Sequence, residues 1–170
     1  NKNSFNFFNF KAILVYYGKY FWKYNKSIFV NHTDLYNPAF SSFLYELKSI
    51  GKYQKIDISF GKSQKTIFAR SLHSLPSFEW LPHPIALAIK IAGLPKRISI
   101  TKNKISVKKN YILQNCIIKL FCRKKIVNIK FSNSYLSPKR RVEIQGSNAT
   151  LIYDGYKKNM LKRKNRGDSF

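Results

Sequence analysis

Apolar positions in the second half of the chain recur in short alternating runs: RISI (97–100), KISV (104–107), YILQNCIIKLF (111–121), KIVNIKF (125–131), RRVEI (140–144) and ATLIY (149–153). A period of two marks strands with one face buried, so a β-rich segment is predicted from 97 onward. The period changes in NPAFSSFLYELKSIG, 37–51. There Asn37 can cap a helix, Pro38 suits its first position, and Phe40, Phe43, Leu44 and Leu47 follow 3.6-residue spacing. Gly51 stands where a left-handed terminating residue belongs. KSIFV (26–30) and KIDISF (55–60) read as strands, and helix–strand order with short turns predicts a compact α+β lobe. IALAIKIAG (85–93) is a short helix or strand, ended by Gly93 and Pro95. Residues 71–84, SLHSLPSFEWLPHP, hold three of the six prolines and predict an irregular connector. The aromatic stretch 5–24 predicts a buried or interfacial helix, because Lys11, Lys19 and Lys23 interrupt any transmembrane run. The tail 156–170 predicts a basic helical segment that stops at Gly167.

Charge changes the picture more than hydropathy does. Thirty-two Lys and Arg face seven Asp and Glu, a net charge of +25 over 170 residues. Such a chain repels itself and favours a polyanion as partner, nucleic acid first and an anionic membrane second. Lys, Asn, Ile, Phe and Tyr dominate while Ala, Gly and Pro are sparse, the texture of AT-rich codons such as those of organelle genomes. Cys116 and Cys122 are predicted on one face of a strand as reduced thiols. A zinc site would need further Cys ligands, so no metal is expected.

The chemistry expected of an enzyme is thin. The carboxylates Asp34, Glu46, Asp57, Glu79, Glu143, Asp154 and Asp168 show no paired spacing. His32, His73 and His83 lie in turn-like or proline-rich contexts, and His73 and His83 read as loop or stacking residues rather than ligands. No glycine-rich phosphate loop, nucleophile elbow or HExxH motif occurs. The expectation is therefore a protein that is not an enzyme, with no cofactor and no small-molecule substrate. Cations instead cluster at predicted turns: Lys62/Lys65, Lys102/Lys104, Lys108/Lys109, Arg123–Lys125, Lys139–Arg141 and Lys157–Arg166. Strand-end cations can reach backbone phosphates, and Tyr111, Phe121, Tyr135 and Tyr156 can stack on unpaired bases or fill a core. Residues 126–144, IVNIKFSNSYLSPKRRVEI, read as a β-hairpin with Lys139, Arg140 and Arg141 as its grip. Phe78 and Trp80 offer apolar anchors, either for a protein partner or for packing the segment on its own domain.

Three stretches carry a family resemblance. SIFVNHTDLYNPAFSSFLYELKSIGKYQKIDI resembles the early layout of the universal small-subunit ribosomal protein eight family, a strand and helix ending in a Lys-x-x-Gly-like turn before another strand. IIKLFCRKKIVNIKFSNSYLSPKRRVEI resembles its strand pair and Ser-Lys-Pro-x-x-Arg turn, with Ser137, Pro138, Arg141 and Val142 nearest. Gly155, a basic segment and Gly167-Asp168 stand near its closing loop, helix and Gly-Gly-Glu ending, although Ile152, Tyr153 and Asp154 replace its Ser-Thr-Ser. KIVNIKFSNSYLSP is also similar to small-subunit ribosomal protein four. The resemblance implies an α+β fold: an N-terminal αβαβ lobe followed by a β-rich C-terminal lobe with a basic terminal helix. The divisions are 1–60, an insertion at 61–110 with a proline-rich connector, and an rRNA-binding lobe at 111–170.

Function on this resemblance is that of a structural constituent of the mitochondrial ribosome, in its small subunit, with rRNA and neighbouring ribosomal proteins as partners. Arg123, Lys124, Lys125 and Lys130 would bind RNA from the first turn. Ser137, Lys139, Arg140 and Arg141 would do so from the second. Gly155, Tyr156, Lys157, Lys158, Lys162, Arg163, Lys164 and Arg166 would do so from the tail. The alternatives are an accessory subunit of a mitochondrial membrane complex and an RNA-processing factor.

Overall fold

Strand alternation decides where the core lies. The computed structural model describes residues 32–63, 76–108 and 111–167, all within one compact unit, His32–Phe170. Seven strands form one sheet: β1 (Tyr53–Ser63), β2 (Arg97–Lys108), β3 (Tyr111–Cys122), β4 (Lys125–Tyr135), β5 (Lys139–Gly146), β6 (Ala149–Asp154) and β7 (Leu161–Asn165). Their order across the sheet is β2-β3-β4-β1-β5-β6-β7. Every neighbouring pair is antiparallel except β1 with β4. Register puts Ile118, Ile129, Ile58, Val142 and Tyr153 in one row across five strands. All five are buried, so alternation has sorted an inner face from an outer one.

Helices cover the inner face: α1 (Pro38–Glu46), α2 (Pro76–Trp80) and α3 (Pro82–Ala92), with 3-10 turns at Thr33–Tyr36 and Leu47–Ser49. The α+β class is as expected. The Asn37 side chain accepts the Ala39 N–H at 2.9 Å, and Pro38 opens α1. That helix buries Phe40 and Phe43 completely, each contributing about 2–3 kcal/mol. α3 buries Leu87, Ala88 and Ile91 and ends at Gly93 with φ +82. Cys116 and Cys122 are free and buried on the inner face, as predicted.

Four elements differ from the sequence expectation. The 71–84 connector contains α2 and the start of α3, because Pro76, Pro82 and Pro84 fall in first turns, where a missing N–H costs nothing. RISI and KISV are one strand, β2, interrupted by an irregularity between Ile100 and Lys102. The 126–144 hairpin does not form: β1 lies between β4 and β5, pairing parallel with one and antiparallel with the other. Finally, the basic tail supplies strand β7 rather than a terminal helix, pairing Leu161 with Tyr153 and thereby covering the edge of β6. The aromatic stretch 5–24 and the strand at 26–30 lie outside the described residues. No helix among the described residues is long and apolar enough to cross a membrane.

Candidate functional site

The parallel pair β1 and β4 gives the sheet one end where two neighbouring strands both finish. Open sheets bind ligands beyond such carboxyl ends. Phe60 near the end of β1 lies opposite Arg140 at the start of β5. The Arg140 guanidinium lies 5.4 Å from the Phe60 ring and 5.4 Å from the Tyr156 ring. Gly155 makes room for it: its N–H donates to the Arg140 carbonyl at 2.8 Å, and a Cβ there would stand 2.7 Å from Arg140 Cδ.

The Thr33–Tyr36 turn brings in Asp34, which is only 3% exposed. One oxygen accepts from the Tyr153 hydroxyl at 3.2 Å and stands 3.6 Å from Arg140 Nη1. His83, in the first turn of α3, stacks on Phe60 with ring centres 5.7 Å apart. His32 meets His83 edge-on at 5.3 Å, and Trp80 flanks His83 at 6.1 Å. Lys62 Nζ sits 4.2 Å over the Trp80 ring. The stacking role read from the sequence for His83 is thus present, with charged company that the sequence did not reveal.

Burial, then the nearness of His32, lowers the His83 pKa below 6.5; Arg140 acts in the same direction and Asp34 against it. His83 is therefore kept neutral at physiological pH. Burial and the Asp34 charge push the Tyr153 phenol far up, so it remains a hydrogen-bond donor. Four buried side-chain atoms have no hydrogen-bond partner among the described residues: His32 Nδ1, Asp34 Oδ2, His83 Nδ1 and Arg140 Nε. All four belong to this cluster. Unpaired buried polar groups cost about 1–3 kcal/mol each, and their convergence makes this cluster the candidate site. No group of three or more His, Cys, Asp or Glu able to hold a metal occurs among the described residues.

The structure disperses the cations proposed from sequence. Arg123 and Lys124 form the β3–β4 turn, Arg123 with φ +45. Lys125 donates to the Ile91 carbonyl at 3.2 Å and lies over the Tyr53 ring. Lys130, Ser137 and Lys139 are exposed. The expected grip comes apart: Arg140 turns inward to Asp34, while Arg141 pairs with Glu143 at 2.7 Å. In the tail, Lys157, Lys158, Lys162 and Lys164 are exposed. Arg163 meets Glu46 at 3.3 Å, and Arg166 donates to the Ser147 carbonyl at 3.2 Å. Of the two readings for the 76–84 segment, Trp80 follows packing on its own domain, beside Phe60 and His83, and Phe78 lies within α2. Asp34, His32, His83, Tyr153 and Lys62 were not foreseen as a group. One usable signal was a histidine between two prolines at the head of an apolar helix.

No family model matches this sequence, and no curated protein matches it. Solved structures do share the fold. A biliverdin reductase from Synechocystis, solved with biliverdin and NADP+, aligns over 86% of this chain and 51% of its own, with TM-score 0.67 and 15% identity. A UDP-N-acetylglucosamine 3-dehydrogenase from Acidithiobacillus ferrooxidans aligns over 86% and 46%, with TM-score 0.63 and 17% identity. A 3-ketoreductase from Actinomadura kijaniata, solved with TDP-benzene and NADP, aligns over 85% and 46%, with TM-score 0.62 and 11% identity.

The fold is one used by oxidoreductases. The chain spans about half the length of these neighbours. This finding overturns the resemblance to small-subunit ribosomal proteins eight and four. With it go the structural role in a ribosome, the rRNA and ribosomal-protein partners, the absence of a small-molecule substrate and the non-enzymatic reading. The physical reason is the sheet: the SPKRR turn that carried the resemblance joins strands that are not neighbours.

Proposed function

We propose that this chain is the substrate-binding part of an oxidoreductase acting on a carbonyl or carbinol group. One observation carries the reading: the unpaired His32, Asp34, His83 and Arg140 atoms converge at the carboxyl end of the parallel pair, in a fold whose solved examples include reductases and a dehydrogenase. Those reductases were solved with a nicotinamide dinucleotide. The described residues of this chain do not fit that group. No glycine-rich turn joins a strand to a helix here, and α3 opens on Pro82 and Pro84, whose nitrogens have no hydrogen to offer a phosphate. A dinucleotide would have to be held outside the described residues.

The chain's own side chains have defined parts in such a site. A neutral His83 imidazole can take a proton from a hydroxyl, or return one to a carbonyl oxygen. Asp34, held by Tyr153 and Arg140, directs its second oxygen as an acceptor for a substrate hydroxyl. Phe60 and Trp80 wall the histidine from water. The test is turnover. Protein isolated from its native source, with whatever accompanies it, should oxidise NADH or NADPH when offered aldehydes, ketones or oxo-acids. Absence of dinucleotide turnover with all three classes would refute the reading.

A further inference from the structure

We propose that this site selects a substrate bearing an oxyanion head, a carboxylate or phosphate, which is held between Arg140 and Lys62. The inference rests on the reading of the cluster as the substrate site and adds the substrate's charge. Arg140 faces Asp34, and that carboxylate is poorly placed to neutralise it. Asp34 is buried with one oxygen engaged by Tyr153, and its 3.6 Å approach to Arg140 Nη1 is too long for a strong hydrogen bond. Arg140 Nε has no partner among the described residues. The guanidinium is also positioned before any ligand arrives, with the Phe60 ring near the end of β1 and the Tyr156 ring in the turn after β6 close to it, and Gly155 cleared of side chain beside it. A planar fork held in this way matches the two oxygens of a carboxylate or phosphate.

Lys62 adds a second positive charge from the same side. It continues β1 two residues beyond Phe60, and its ammonium lies over Trp80, the ring that flanks His83. An oxyanion between these cations would leave the rest of a small substrate facing Asp34 Oδ2 and the two imidazoles. Those groups suit hydroxyls rather than a hydrocarbon tail. The bland alternative is a structural ion pair, but four unpaired buried atoms in one cluster are more than such a pair ordinarily leaves.

The experiment is a histidine side-chain NMR titration of the full chain at fixed ionic strength, with D-gluconate, D-glucose 6-phosphate and neutral D-glucitol as probes. The His32 and His83 signals are assigned through His→Gln variants. The expected result is that at least one anion shifts both signals with affinity about tenfold or more above that of glucitol. The two anionic arms show whether a carboxylate or a phosphate is preferred. Arg140→Gln should remove the preference. Because that change also strands Asp34, Lys62→Gln serves as the second variant and should lower the ratio of anion to glucitol affinity severalfold. Equal affinity for glucitol and both anions would overturn the charge inference and leave the site reading standing. Anion binding that moves neither histidine, or that survives both variants unchanged, would be general attraction to a chain of +25 and would overturn the inference as well. Failure of every probe to move His32 or His83 would bring down the site reading with it.

Discussion

A methyl group added at Gly155 would press on Arg140 Cδ, 2.7 Å from the Cβ position. Gly155→Ala is expected to push the guanidinium from Asp34 and cost about 1–3 kcal/mol, read as a lower urea midpoint. His83 supplies a pH test. Its pKa is below the ordinary 6.5, so the unfolded chain binds its proton more readily than the folded one. The contribution is present above pH 6.5 and is lost as pH falls from there through the folded pKa. Denaturation from pH 8 to pH 5 should show a steeper loss for the native chain than for His83→Gln. At this scale the sequence was legible for core residues and misleading for the site. Phe40, Phe43 and the alternating strand residues announce their burial by period. Arg140 and Arg141 are identical in the sequence, yet strand alternation sends one to the inner face and the other to Glu143 on the outer face.

Among the elements, α2 is tied to the sheet by one buried amide. Gln114 accepts the Ser77 N–H at 3.0 Å and donates to Asn103 at 3.0 Å, while its own N–H goes to Asn133. Gln114→Leu keeps the backbone bond to Asn133 but should strand the Ser77 N–H and the Asn103 amide oxygen, lowering stability by about 1–3 kcal/mol. The exposed Arg163–Glu46 pair, which links β7 to α1, is a contrast. Glu46→Gln should change stability by about 0–1 kcal/mol, and the same urea titration distinguishes the two. The helix α1 was readable because its cap, proline and period agree. The tail was not, since LKRKN has no apolar period of its own and becomes a strand only because β6 offers an edge. The prolines of 76–84 misled for a similar reason: a proline breaks a helix interior yet suits a first turn, and composition does not say which position it takes.

For the whole molecule, strand order was out of reach. β1 pairs with residues about seventy and eighty positions later, and nothing local to KIDISF names those partners. The charge of +25 was legible, but its meaning was not. A basic chain attracts polyanions in general, and charge says nothing of the fold that carries it. Self-repulsion still predicts that stability rises with ionic strength, so the thermal midpoint should increase between about 0.05 and 0.5 M salt.

The central claim is that catalysis resides on the helix-covered face at the end of β1, around His83, and the most direct check is kcat for two variants of the protein in its native assembly. Lys119 lies exposed on the opposite face of the sheet, and Lys119→Gln should leave kcat within about twofold of the native value. His83→Gln should lower it by about 10²–10⁴ with the fold retained. Equal, small effects from both substitutions would contradict the account.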